Sequence, residues 1–203
     1  MDFTTVYIIR HAETTGNIEK RLTGRQDYEI TENGLNMIKQ LENKLKDIKF
    51  DIAFSSTENR SYNTIKGLAE KSSINITKTS ELSEMFFGIY DGYKWEEVNK
   101  INPRIKELQN EINIIDGIPN QETMEDVANR MYNFIYKCCL ENPGKNILIG
   151  SHGVAIEAFL RKITGIPFKD EREKYSQHNT AMNKVIFEGN QFRIEILADN
   201  TNL

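Results

Sequence analysis

Six short runs rich in β-branched and aromatic residues, mostly separated by segments of helical periodicity, limit what this chain can fold into. They are Thr4–Ile9, Phe50–Phe54, Ile74–Thr79, Asn146–Gly150, Lys184–Phe187 and Phe192–Leu197. Between them, Thr31 can cap a helix whose apolar face is Leu35, Ile38, Leu41 and Leu45. A second helix is expected from about Glu58 to Lys71, with Tyr62, Ile65, Leu68 and Ala69 inward. A longer one from Thr123 to Leu140 carries Val127, Met131, Phe134, Ile135 and Cys138, and another covers Val154–Ile163. Gly189-Asn190 divides the last two runs into a β-hairpin. Strands alternating with helices imply an α/β fold: a three-layer α/β/α sandwich on a mostly parallel central sheet, closed by a C-terminal β-hairpin. No repeat or Pro/Gly/Ser-rich linker divides the chain, so a single domain over residues 1–203 is expected. A cap-like insertion at about residues 82–120 would hold short helices around Trp95–Lys100 and Arg104–Asn110.

In such sheets ligands bind beyond the carboxyl ends of the strands. Arg10-His11-Ala12-Glu13-Thr14-Thr15-Gly16-Asn17 follows the first run, and Ser55-Ser56-Thr57-Glu58-Asn59-Arg60 follows the second. Ser151-His152-Gly153 follows the fourth, directly before a helix. Two of the three histidines and two of the nine arginines thus occupy equivalent topological places and converge on one pocket. Arginine holds phosphate through a planar fork of donors. A neutral imidazole can attack phosphorus, and a second, protonated one can donate to the transferring oxygens. Gly16 and Gly153 allow close backbone approach, and helix N-termini favour anions. The set suits a phosphoryl group with no metal and no cofactor; a metal site needs several ligands at close spacing, which three scattered histidines do not offer.

Charge narrows the partners. Lys plus Arg is 26 against 30 Asp plus Glu, a net charge of −4, which argues against nucleic acid and against a polybasic membrane anchor. Mean hydropathy is −0.56 and no long apolar run is present, so no membrane span is expected. The chain enters its first strand without a basic-then-apolar leader, and its two cysteines, Cys138 and Cys139, are adjacent and poorly placed to pair. Reduced thiols and a cytoplasmic location are the expectation. Oligomeric state leaves no trace in the pattern.

Residues 10–17 (RHAETTGN) resemble the signature of the histidine phosphatase superfamily, also called the phosphoglycerate mutase-like family. The resemblance continues through Thr23-Gly24-Arg25-Gln26-Asp27 and Thr31-Glu32-Asn33-Gly34, then Ser55-Ser56 with Arg60 and Thr64. Glu81-Leu82-Ser83-Glu84-Met85-Phe86-Phe87-Gly88 with Asp91-Gly92, and finally Ser151-His152-Gly153, complete it in the family's order. It implies that His11 becomes covalently phosphorylated while Arg10, Arg60 and His152 hold the phosphoryl oxygens. Asn17 would add a hydrogen bond, with Thr23 and Gly24 on the substrate side. Glu84 would protonate the leaving oxygen and then activate water. For that work it should sit among apolar neighbours, and Met85, Phe86 and Phe87 are at hand. Ala12 stands where Gly is commoner, and Gln121-Glu122-Thr123 where many members have Gly-Glu-Ser. Glu122 reads by default as first-turn helix charge, with a supporting role behind the site as its alternative, and His178 reads as structural.

The same core serves hydrolysis and transfer between hydroxyls. Mutases of the family carry extra Arg and Lys after the acid Glu and in the middle segment. Here Phe86–Trp95 is aromatic and nearly free of cations, and Ile112, Ile114 and Ile115 outweigh Arg104 and Lys106. A metal-independent phosphatase acting on a small-molecule phosphate monoester is therefore expected, with phosphoglycerate mutase as the alternative. An inactive phosphate-binding module is the third reading, weakened by the presence of His11, Arg10 and Glu84.

Overall fold

The computed structural model describes residues 3–105, 117–168, 170–199 and 201. Strands β1 (Thr4–Arg10), β2 (Ile52–Ser55), β3 (Ile76–Lys78), β4 (Asn146–Ser151), β5 (Met182–Glu188) and β6 (Gln191–Asp199) form one sheet. Its order is β3-β2-β4-β1-β5-β6. The first four in that order are parallel, while β5 is antiparallel to β1 and pairs with β6 as the expected hairpin. The helices are α1 (Thr15–Ile18), α2 (Glu32–Lys44), α3 (Asn59–Lys71), α4 (Trp95–Ile101), α5 (Met124–Glu141), α6 (Gly153–Thr164) and α7 (Arg172–Tyr175).

Alternation along the strands builds the three layers. Val6 and Ile8 of β1, with Ile147 and Ile149 of β4, pack against Val127, Met131 and Ile135 of α5 and Ile156 and Phe159 of α6. Their neighbours Tyr7, Ile9 and Leu148 point the other way, onto Leu41 of α2 and Ile65 and Leu68 of α3. A strand buried on both faces reads as a continuous apolar run, which is why β1 and β4 stand out in the sequence. Ile8, Ile9, Ile147, Leu148 and Ile149 are fully buried, each contributing about 1.5–3 kcal/mol.

One expectation needs correction. Leu35 was placed on the apolar face of α2 but is 51% exposed. Burial deepens along that helix, from Leu35 to Ile38 at 9% and Leu41 at 0%, so its first turn stands clear of the core. The aromatic segment 86–95, open in sequence between pocket lining and core packing, divides between core and surface. Phe87, Tyr90 and Val98 are core residues, while Ile89 and Tyr93 face solvent. The helix expected around Arg104–Asn110 lies outside the described residues from Lys106 onward, as do Ile112, Ile114 and Ile115.

The register sets up the site. Arg10 of β1 pairs with Ser151 of β4, and Ser55 of β2 pairs with Gly150 of β4. The ladder runs one step further, with His11 N donating to the Ser151 carbonyl (3.0 Å) and Ser56 N to that of Gly150 (3.2 Å). Three strand ends carrying His11, Ser56 and His152 therefore meet side by side.

Candidate active site

His11 leaves the end of β1 almost fully buried, at 2% exposure. Its Nδ1 lies 2.8 Å from the Ala12 carbonyl, which can only accept, so Nδ1 carries the proton and Nε2 keeps its lone pair. The turn is pinned by Ala12 N donating to Thr64 Oγ1 (2.9 Å) and by Asn179 Nδ2 donating to the His11 carbonyl (3.0 Å). Burial, reinforced by the charges of Arg60, His152 and Arg10, pushes the His11 imidazole well below its usual range. The ring is neutral at neutral pH.

His152 lies opposite, its ring centroid 5.2 Å from that of His11. Its Nε2 is 2.7 Å from Ser56 Oγ and 3.1 Å from Glu58 Oε2. Its Nδ1 is buried with no hydrogen-bond partner among the described residues. Burial and Arg60 push its imidazole down while Glu58 and Glu84 pull the other way.

The two arginines are held differently. Arg10 Nη1 donates to the Gln177 carbonyl, and its Nε is buried without a partner among the described residues. Arg60 spends its terminal nitrogens on the carbonyls of Gln26 (2.5 Å), Thr23 (3.2 Å) and Gly24 (2.7 Å) and on Asp27 (3.4 Å). The loop carrying those carbonyls is itself fastened by Asp91, whose carboxylate accepts from Gly24 N (2.8 Å) and Arg25 N (3.0 Å).

Glu84 is buried, but not among apolar groups as expected. Its Oε1 accepts from Ala155 N (3.0 Å) and Met85 N (2.9 Å), and its Oε2 from Val154 N (3.2 Å). Val154 and Ala155 are in the first turn of α6, whose N-cap, His152, makes no side-chain cap. Glu84 caps that helix from outside, satisfying donors that a helix start leaves open. Met85 and Phe87 are buried in the core next to it in sequence, and their apolar character says nothing of where the carboxylate points.

A cavity of about 570 Å³ opens over this cluster. Arg10, Asn17, Thr23 and Glu84 line it; His11, His152, Arg60 and Gly24 are buried and are not on its wall. Asn17 Oδ1 accepts from Thr14 N, Thr14 Oγ1 and Asn179 Nδ2, which leaves its Nδ2 as the donor for the cavity. Phe87 and Trp95 form an aromatic wall, as the sequence suggested for part of that segment. Lys20, Arg21, Asn99 and Gln177 also line the cavity and were not anticipated. The first two supply cations from a loop on the other side. That loop is zipped to the 92–95 segment by Leu22 N to the Tyr93 carbonyl and Trp95 N to that of Lys20 (both 2.9 Å).

Two carboxylates stand behind the site, of which only Glu122 carries such a role in the sequence reading, as an alternative. Glu58, read only as part of a helix start, is buried against His152. Glu122 precedes the N-cap Thr123 and is not first-turn charge. It takes Arg130 (2.9 Å), Arg25 (3.1 Å) and Phe86 N (2.9 Å), and Arg130 in turn holds the carbonyls of Glu81 and Glu84. His178 is exposed. Cys138 and Cys139 are free and buried, their thiols pushed up to about 11 and about 12 by burial. Among the described residues no helix is long and apolar enough to cross a membrane, and no three His, Cys, Asp or Glu side chains are grouped to hold a metal ion.

The family model of the histidine phosphatase superfamily (branch 1) matches residues 6–200. The chain belongs to that superfamily. Among its relatives are an uncharacterized phosphatase, PhoE, of Bacillus subtilis, 27% identical over 201 residues (98% of this chain, 97% of that one), and a probable phosphoglycerate mutase, GpmB, of Proteus mirabilis. The latter is 26% identical over 208 residues, covering 98% of this chain and 94% of its own. In fold, YhfR of Bacillus stearothermophilus superposes with a TM-score of 0.92 at 23% identity, over 98% of each chain. Its relatives thus include proteins named as phosphatases and as probable phosphoglycerate mutases.

Proposed function

We propose that this chain is a phosphomonoesterase that works through a phosphohistidine on His11. The observation that carries this reading is the buried, neutral His11 ring, its Nδ1–H spent on the Ala12 carbonyl and its Nε2 free, ringed by Arg10, Arg60 and His152. Nε2 forms a bond to phosphorus as the bond from phosphorus to the leaving oxygen breaks. Arg10 and Asn17, on the cavity wall, hold the phosphoryl oxygens; Arg60, whose terminal nitrogens are taken by backbone carbonyls and Asp27 but whose Nε has no partner among the described residues, adds charge and that one donor. Glu84 lines the cavity and its Oε2 accepts a single amide, so Oε2 is the atom to carry the proton to the leaving alcohol. In the second step Glu84 takes a proton from water, whose oxygen displaces Nε2, and phosphate departs.

A second reading, transfer between hydroxyls, is favoured by Lys20 and Arg21 on the cavity wall and by the relatives named as probable mutases. Phosphate release from a panel of monoesters including p-nitrophenyl phosphate and 3-phosphoglycerate, run in excess EDTA beside His11→Ala, tests the first. Turnover that survives chelation and vanishes in the variant is the expected result. Transfer stimulated by 2,3-bisphosphoglycerate with little phosphate release would select the second.

A further inference from the structure

The first turn of α3 is built in an unusual way. Glu58 occupies its N-cap with extended backbone (φ −73°, ψ 132°), yet its side chain makes no cap hydrogen bond. Asp27, from a loop far away in sequence, does that work, its carboxylate accepting from Asn59 N (2.5 Å) and Arg60 N (3.2 Å). Glu58 is thereby released from local duty and turned inward, where it is 4% exposed. Burying a carboxylate is expensive unless it is paired. Its Oε2 lies 3.1 Å from His152 Nε2, while Oε1 accepts from Thr57 Oγ1 (3.3 Å) and stands 4.0 Å from Arg25.

We propose that Glu58 is a positioning residue for His152, fixing its Nε2–H and supplying the counter-charge for a second proton on Nδ1; this rests on the phosphohistidine reading above. With Nε2 committed to Glu58 and Ser56, Nδ1 is the one ring nitrogen left to face an incoming phosphoryl group. In neutral His152 that nitrogen is a lone pair and would repel a phosphoryl oxygen. It becomes a donor only by taking a proton, which Arg60 and burial oppose. His11 and Arg10 add no negative charge, so the carboxylates that favour that proton are Glu58, in contact, and Glu84, across the site. His152 takes a proton from solvent as the phosphoryl dianion binds and returns it when phosphate leaves. Both ring nitrogens are then donors, one to the protein and one to the transferring group.

Glu58→Gln keeps the shape and removes the charge, while Glu58→Asp restores the charge on a shorter arm. Activity on the best monoester of the panel is measured against pH for both and for wild type. In parallel, imidazole ¹⁵N resonances are titrated with and without inorganic phosphate, His152 being assigned through its loss in His152→Asn. Removing one partner of an orienting carboxylate–imidazole pair is expected to lower kcat about 10–100-fold. The alkaline limb of the Glu58→Gln profile should move down by about 1 pH unit, together with the His152 titration, and Glu58→Asp should recover most of that displacement. An unchanged alkaline limb and unchanged His152 titration in Glu58→Gln would overturn the proposal, even if kcat falls. Should wild type hydrolyse no ester, the phosphohistidine reading fails first, and the His152 titration in phosphate still decides the pairing.

Discussion

Arg130 and Glu122 are joined at both ends of the guanidinium, Nε to Oε1 at 2.9 Å and Nη2 to Oε2 at 3.1 Å, while Arg130 also donates to the carbonyls of Glu81 (2.9 Å) and Glu84 (3.1 Å). The pair is a brace for the segment that carries Glu84, since Glu122 also accepts from Phe86 N. Glu122→Ala strands two arginines and one amide. It should cost about 2–3 kcal/mol in a denaturant melt and lower kcat more than it raises KM. A loss of stability without loss of kcat would separate the brace from the chemistry.

The same carboxylate makes stability depend on pH. Burial alone would raise the Glu122 carboxyl, but its hydrogen bonds from Arg130 and Phe86 N and the nearby charges hold it below its ordinary range. A carboxyl lowered in the folded state contributes stability that is complete above the unfolded value of about 4.3 and is lost as pH falls below it. Wild type should lose melting temperature more steeply than Glu122→Gln between about pH 5 and pH 3.

His11 gives the activity profile its acid side. A nucleophile must be unprotonated, and burial with the neighbouring cations Arg60 and Arg10 holds this ring neutral well below the usual histidine range. The acid limb of kcat/KM should therefore lie below about pH 6.5, the ordinary value. A limb at or above that pH would contradict the neutral, buried ring. Because the folded value is the lower one, His11 also favours folding above about pH 6.5 and loses that contribution as pH falls.

Gly24 has no room for a side chain. A Cβ there would meet the Asp91 carboxylate and come within 2.8 Å of the Met85 carbonyl. Gly24→Ala should displace the loop whose carbonyls hold Arg60, costing about 1–3 kcal/mol and weakening inhibition by inorganic phosphate. Unchanged inhibition would mean that Arg60 keeps its place without that loop.

Asn17→Asp retains the acceptor that Thr14 and Asn179 use but replaces the cavity-facing amide with negative charge. Near wild-type melting with a 10–100-fold drop in kcat/KM is expected, by the usual weight of a charged-group hydrogen bond. Equal activity would remove Asn17 from the phosphoryl site.

What could be read from sequence follows the physics of each signal. β1 and β4 are buried on both faces, so their apolar runs are continuous, and whatever follows them is placed by topology alone. That is why Arg10, His11 and His152 were legible. Lys20, Arg21, Asn99 and Gln177 come from loops and a short helix with no periodic signature, and only the assembled cavity wall brings them together. Carboxylates were read worst. Glu58 and Glu122 look locally like helix-start charge, and their partners, His152 and Arg130, are distant in sequence or hidden by helix geometry. Glu84 was misjudged for the opposite reason, because Met85 and Phe87 describe the core beneath it and not the amides of α6 in front of it.

The division of the cavity between strand ends and zipped loops has a consequence for how such an enzyme can be altered. His11 and His152 follow the two innermost strands, so displacing them means disturbing the central ladder. The rest of the cavity wall is drawn in part from Lys20, Arg21, Phe87 and Trp95, where loops join one another by a handful of backbone bonds. Selection acting on that wall can exchange one ester for another while the reaction centre stays as it is, and a library confined to Lys20, Arg21, Trp95 and Asn99 is the place to redirect this chain toward a new substrate.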